Sequence, residues 1–380
     1  MNGQLPLRGI RVLELCWVWS GPLLGQLLAD LGAEVIKVEW YKRFDLYRTR
    51  GVERLAGKYP EEMRREMSQS FHGLNRNKIG VTLDLKDADH REGFLELVAQ
   101  SDMVIENFTA GTLDRLNIGY DVMAQANKAI VLLSLAGFGA TSRLADMRAY
   151  GLALSSLSGL EATIVDPRDG SFLGSPTFVS SDPNAATYGL ITAIASVLDA
   201  RQKGEGAHVE ISQLEAAGHV GADDDAALAE TARLLGFDAE LPPATTTIFP
   251  THDGQHICVD WEGRIPAATL PELERIVAAL PLSDALARVT EAGGRAVKIL
   301  EEAAEFGAGA SNEGTLIPTI HPVSGPENIV AAPWWLDGVR APLRKTAPTL
   351  GEGNAYVLGR LLNWPHERYE AMSDPRGGGA

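Results

Sequence analysis

Ser181-Asp182-Pro183 stands directly before a run whose apolar positions, Leu190, Ile191, Ile194 and Val197, recur at helical spacing as far as Ala200. With Pro183 at the first helical position, Asp182 is a natural N-cap, and on these residues alone capping is the stronger reading. A chemical use for its carboxylate needs support from elsewhere in the chain. His252 and His256 have the spacing of two ligands on one helix face, but they flank the turn Asp253-Gly254, so they read as surface histidines. Asp223-Asp224-Asp225 lacks companion ligands and reads as a solvated run, and no metal is expected.

Basic residues are unevenly spread. From Lys37 to Lys78 eleven stand against six acidic ones, a net of +5 in a chain whose total is −16. A cationic segment on an anionic protein suits a phosphorylated small ligand, because local potential governs steering; a solvated loop with paired charges is the alternative. The overall balance, 34 basic against 50 acidic residues, argues against nucleic acid or an anionic membrane as partner. Cys16 and Cys258 are too few for a disulfide framework, and the segment Met1 to Arg8 lacks the pattern of a secretory signal. The apolar stretch from Ala129 to Ala140 is too short to cross a bilayer. A cytoplasmic location is the expectation.

The elements that must carry these residues alternate between strand and helix. Ile10 to Leu15, Ala33 to Val38, Val81 to Leu85, Met103 to Glu106, Ile130 to Leu135 and Ala207 to Ser212 read as strands; Gly21 to Leu31, Asp87 to Gln100 and Pro183 to Ala200 read as helices. That order implies an α/β fold with a parallel sheet covered on both faces. The turn Trp19-Ser20-Gly21-Pro22-Leu23-Leu24-Gly25 lacks the paired glycines of a dinucleotide fingerprint, so NAD is set aside. Residues 1–205 and 336–380 are expected to form a large Rossmann-like domain and 206–335 a smaller α+β domain. Pro322 to Pro348 reads as a connector and Asn354 to Asn363 as a helix.

Nine segments in order resemble the class III CoA-transferases, the family of formyl-CoA transferase and carnitine CoA-transferase, which also includes the 2-methylacyl-CoA racemases. Among them are Leu7 to Leu15, Ser20-Gly21-Pro22, Leu28 to Glu39, Leu74 to Lys78, Glu106-Asn107-Phe108, Ser134 to Gly139, and Gly204-Glu205-Gly206 with His208 to Ser212. The resemblance implies an interlocked dimer, or pairing with a related subunit. It implies CoA thioesters and carboxylic acids as substrates, with no tightly bound cofactor. It places the nucleophile on Asp182, 22 residues before Gly204, and CoA-binding roles on Lys78, Asn107, Phe108, Arg115 and Arg148. Pro183 removes an N–H beside that nucleophile, so oxyanion stabilisation must come from other groups. Trp40 stands where the family has an arginine, for which Lys42 or Arg43 can substitute. Tyr150-Gly151 replaces the racemase His-Asp pair, and an unperturbed tyrosine is a poor base near neutral pH, which favours transfer over racemisation. Trp19 and Tyr150 are the expected substrate contacts, Trp19 implying an acid bulkier than formate or oxalate; Trp17 and Trp261 can extend that pocket. The rivals are an acyl-CoA racemase and a non-catalytic subunit of a heteromeric transferase.

Overall fold

The structure is a computed structural model that describes residues 5–164, 171–174, 180–221, 246–260, 270–300 and 315–373. Asp223 to Asp225 and Trp261 lie outside the described residues.

Six strands, β1 (Arg11–Glu14), β2 (Glu34–Glu39), β3 (Ile79–Thr82), β4 (Met103–Glu106), β5 (Val131–Ala136) and β6 (His208–Ser212), form one sheet in the order β3-β2-β1-β4-β5-β6. Every pairing in it is parallel. This is the Rossmann-like sheet expected from the alternation of elements. Adjacent residues of each strand point to opposite faces, so both faces carry apolar side chains. On one, Val12, Val35, Ile105 and Leu133 pack against Leu24 and Leu28 of α1 (Ser20–Asp30) and against a 23-residue helix, Ser181–Lys203, whose Ala185, Ala193 and Val197 are buried. On the other, Leu13, Ile36, Val104 and Leu132 meet Phe94 and Leu97 of the helix Ala88–Val98, together with Val357, Leu358 and Trp364 from the chain's far end. Asp87 caps Ala88–Val98 as its type predicts, accepting from the N–H groups of Asp89 and His90.

The chain divides into two compact units, residues 1–222 with 316–380, and residues 223–315. The large unit therefore takes in β6, which pairs with β5 from His208 to Ser212, and the antiparallel hairpin of β10 (Leu316–His321) and β11 (Gly325–Val330). The sequence reading gave both to the smaller domain, and gave part of the hairpin to a connector. Pro318 and Pro326 are tolerated because each strand of a two-stranded ribbon has a free edge. In the small unit, strands β7 (Thr246–Pro250), β8 (His256–Asp260) and β9 (Arg295–Lys298) form an antiparallel sheet. Gly254 makes the expected turn at φ +75°. Phe249, Ile257 and Val259 of this sheet pack against Val277, Ala285 and Val289.

Candidate active site

The loop after β1 is tied to its surroundings residue by residue. Lys37 Nζ donates to the Cys16 carbonyl at 2.7 Å. The Asn107 side chain clamps Trp17, donating to its carbonyl at 2.7 Å and accepting its N–H at 2.9 Å. The Val18 N–H donates to Asp45 Oδ1 at 2.9 Å. Helix α1 then begins at Ser20 behind Trp19, whose side chain supplies no cap.

That cap comes from another helix. The Asp182 carboxylate accepts from both the backbone N–H and the hydroxyl of Ser20. The expectation that Asp182 caps its own helix is thereby corrected. Its helix begins one residue earlier, at Ser181, behind an N-cap Ser180 that makes no side-chain hydrogen bond, so Asp182 is the second helical residue and faces α1. Pro183 falls third, where a missing N–H leaves no intrahelical bond unmade. Asp182 is only 9% exposed, and burial pushes its carboxyl above the ordinary range while the Ser20 bonds pull the other way. Beside it, the Ser181 hydroxyl donates to the Gly151 carbonyl at 2.9 Å.

A cavity of about 540 Å³ opens at the carboxyl ends of the parallel strands. A sheet whose order reverses between β1 and β4 leaves such a crevice, because connections leave the two strands in opposite directions. Leu15, Trp17, Val38, Leu83 and Phe108 give it apolar and aromatic walls, with Trp17 and Phe108 edge to face at 5.7 Å. Arg43, Lys86 and Arg148 bring positive charge. Its carboxylates are Asp84 and Glu39, the latter held bidentately by Arg48 at 2.8 and 2.9 Å. Although burial opposes its charge, Arg48 and Lys37 hold Glu39 ionised with a pKa of about 2.

Of the residues expected to touch substrate, Asn107, Phe108, Arg148 and Tyr150 line this cavity. Arg115 does not line it; its guanidinium bonds Thr112 Oγ1 at 2.8 Å, and Thr112 does. Trp19 is absent from the walls and packs beside Tyr47, Phe71 and Ala347. Lys78 is fully buried, its ammonium bonded to Glu14 at 2.7 Å, Pro22 O at 2.8 Å and Asn75 Oδ1 at 2.8 Å. All three donors are taken, and burial lowers its pKa to about 8. Three more cations of the segment are absorbed in the same way: Lys37 pairs with Glu14 and Asp45, Arg48 with Glu39 and Glu66, and Arg76 with Asp30. Of that segment's basic residues only Arg43 reaches the cavity walls. It bridges to Trp40 through paired backbone hydrogen bonds of 2.8 and 3.0 Å, so it stands beside the position where the resemblance lacks its arginine.

Asp182 is not among the wall residues. Asn107 connects it to them, its Nδ2 lying 3.4 Å from the Ser20 Oγ that bonds the carboxylate. The Tyr150 side of the cavity makes a second connection through Gly151 and Ser181. Among the described residues no group of three or more His, Cys, Asp or Glu is placed to hold a metal ion, and no helix is long and apolar enough to cross a membrane. Sequence reasoning missed Ser20 as the partner of Asp182, Asp45 as the anchor of Val18, Lys86 on the cavity wall, and Glu106. Burial pushes Glu106 up to about 7, against hydrogen bonds from Ser134 and from the Phe108 N–H at 2.7 Å. The one signal available for any of them is that Ser20 and Glu106 lie inside the motif segments.

Residues 7–354 match the sequence model of CoA-transferase family III. The acetyl-CoA:oxalate CoA-transferase of Acetobacter aceti is 34% identical over 214 residues, covering 55% of this chain and 51% of that protein. The succinate–glutarate CoA-transferase of Agrobacterium fabrum is 32% identical over 214 residues, covering 56% and 52%. The chain thus spans about half the length of the curated relatives it matches. Among solved structures, a CAIB/BAIF family protein from Brucella suis superimposes with a TM-score of 0.76 at 23% identity, over 94% of this chain and 99% of that one. At that identity the likeness establishes the fold.

Proposed function

Because the chain belongs to CoA-transferase family III, we propose that it moves CoA from an acyl-CoA donor to a carboxylic acid, with Asp182 as the transiently acylated nucleophile. The observation that carries this reading is the Asp182 carboxylate, nearly buried, held by the amide and hydroxyl of Ser20 at the start of α1, and one hydrogen bond removed from Asn107 at the cavity. An Asp182 oxygen adds to the donor thioester carbon, and collapse expels CoA thiolate, leaving a mixed anhydride. The thiolate attacks the aspartyl carbonyl, releasing the donor acid and forming an aspartyl-CoA thioester. The acceptor carboxylate then attacks that carbonyl, and the freed thiolate attacks the acceptor acyl carbon, restoring Asp182. Ser20 and the α1 dipole face the oxygens on which negative charge builds, which compensates for the amide missing at Pro183.

The cavity's aromatic walls and its three cations match a ligand with a ring system and phosphates. The relatives' names pair acetyl-CoA with oxalate and succinate with glutarate. For this chain an acid larger than formate or oxalate is proposed on the resemblance alone, in which Trp19 stands where the formyl-CoA branch has a glutamine; the indole itself packs beside Tyr47, Phe71 and Ala347 and not on the cavity wall. Dimerisation is proposed too, supported by apolar side chains left exposed at Ile191 and Leu198 of the long helix and Ile320 and Val330 of the hairpin.

Incubation with acetyl-, succinyl- and benzoyl-CoA, followed by mass spectrometry, is expected to find an acyl or CoA adduct on the Asp182 peptide. Asp182→Asn should abolish the adduct and lower turnover at least 10³-fold. Because the attacking form is the carboxylate, labelling should fall as pH drops through a value above the unperturbed 3.8. An adduct that survives in Asp182→Asn, or its absence from the wild type with every donor, would overturn the mechanism. Proton exchange next to the thioester carbonyl without acceptor would point to racemisation, and turnover of formate as fast as glutarate would remove the proposed size preference.

A further inference from the structure

Val18, in the loop between β1 and α1, has φ +72°. A β-branched side chain in the left-handed region crowds its own backbone, and neither glycine nor asparagine stands there to ease the turn. The backbone nevertheless holds that shape, and the bond on the Val18 amide comes from Asp45. Asp45 is wholly buried and fixed from several sides. Its Oδ1 also accepts the Tyr47 N–H at 3.0 Å, its Oδ2 lies 3.1 Å from Lys37 Nζ, and its own N–H donates to Glu39 Oε1 at 2.9 Å. Two residues beyond Val18 is Ser20, which bonds Asp182.

We infer that Asp45 is a positioning residue: by holding Val18 left-handed through its amide, it fixes the β1–α1 loop so that Ser20 presents its N–H and hydroxyl to Asp182. This rests on the reading of Asp182 as the nucleophile. Asp45 does not line the cavity, and its partners are Val18, Tyr47, Lys37 and Glu39. Were Val18 to relax to a negative φ, the following peptides would turn and carry Ser20 off the carboxylate. A displacement of about 1 Å at a reacting group can cost 10²-fold in rate. The bland alternative is that Asp45 only caps the short turn Leu46–Arg48, and it predicts lost stability with the labelling rate unchanged.

The test compares the rate of Asp182 labelling, using whichever of acetyl-, succinyl- or benzoyl-CoA labels the wild type fastest, with the dissociation constant of the same donor. In Asp45→Asn the amide oxygen turns to the Lys37 ammonium, which leaves the NH2 group facing the Val18 N–H, donor against donor. Labelling is expected to slow about 10- to 100-fold with donor affinity changed less than about threefold. Asp45→Asn combined with Val18→Gly should recover most of the rate, since glycine adopts positive φ without an anchor. Should Asp45→Asn not fold, Val18→Pro carries the test, because proline forbids the left-handed conformation and removes the amide that Asp45 holds; a loss of at least tenfold is expected. Wild-type labelling in Asp45→Asn or, where that variant does not fold, in Val18→Pro, or no recovery in the double variant, overturns the inference alone. A wild type never labelled on Asp182 overturns it together with the mechanism on which it rests.

Discussion

At the scale of single residues, burial is what separates the carboxylates of this protein. Asp182 and Glu106 both lose solvent and are both pushed up, yet they face different partners. Asp182 meets two donors of one serine at a helix N-terminus, and that serine's hydroxyl lies 3.4 Å from Asn107 Nδ2 on the cavity wall. Glu106 ends β4 with no cation among the described residues offsetting its burial, and its acid reaches about 7 against an ordinary value of 4.5. Between those two pH values the folded chain keeps a proton that the unfolded chain has released, so this group's contribution to stability is full below 4.5 and is lost as pH rises through 7. Glu106→Gln cannot titrate and keeps an acceptor for the Phe108 N–H. It should therefore be more stable relative to wild type at pH 8 than at pH 4.5, by about 2–3 kcal/mol. Urea midpoints at the two pH values check this, and an equal difference at both would show that Glu106 ionises freely in the fold. The residue scale was partly legible: the motif segments hold Asn107 and Phe108, which line the cavity. Lys78 misled, because a cation suited to phosphate is equally suited to a buried carboxylate, and Glu14 stands only 2.7 Å from its ammonium.

At the scale of elements, local signals served well wherever the cause was local. Strand β4 was read to the residue, and Asp87 was read as the cap of the helix after it, since period and capping chemistry both lie in neighbouring residues. The partnership between α1 and the long helix was not legible, because it joins Ser20 to Asp182 across 162 positions. Nor was the left-handed Val18, whose type argues against the conformation it adopts. The turn Gly204-Glu205-Gly206 shows why elements this tightly joined accept little change. Gly206 donates to Lys128 O at 2.7 Å, and a Cβ there would lie 1.8 Å from the Ile130 carbonyl oxygen. A backbone atom cannot swing aside as a side chain would. Gly206→Ala is accordingly expected to destabilise the protein by about 3 kcal/mol or more, read as a lowered thermal midpoint. A midpoint within a degree of wild type would mean that β5 and β6 separate at little cost.

At the scale of the whole molecule, the net charge of −16 and the cations of the cavity act in opposite senses. The chain as a whole repels a polyanion, while Arg43, Lys86 and Arg148 set positive charge around one opening, which suits the small anionic ligand proposed for it. These three side chains are exposed, so salt should screen them more than it screens the buried pairs around Glu14 and Glu39. Raising NaCl from about 50 to 300 mM should increase the KM for acyl-CoA several-fold with kcat little changed. A KM indifferent to salt would assign recognition to the aromatic walls instead.

The sequence by itself determined the parallel α/β sheet and the family, because strand and helix periods and motif segments are written in the order of residues. Tertiary structure alone decided which charges reach the cavity and which neutralise one another beneath it. The +5 segment shows the physical reason: a carboxylate from a distant strand or loop converts a cation that reads as a ligand contact into one held inside the fold.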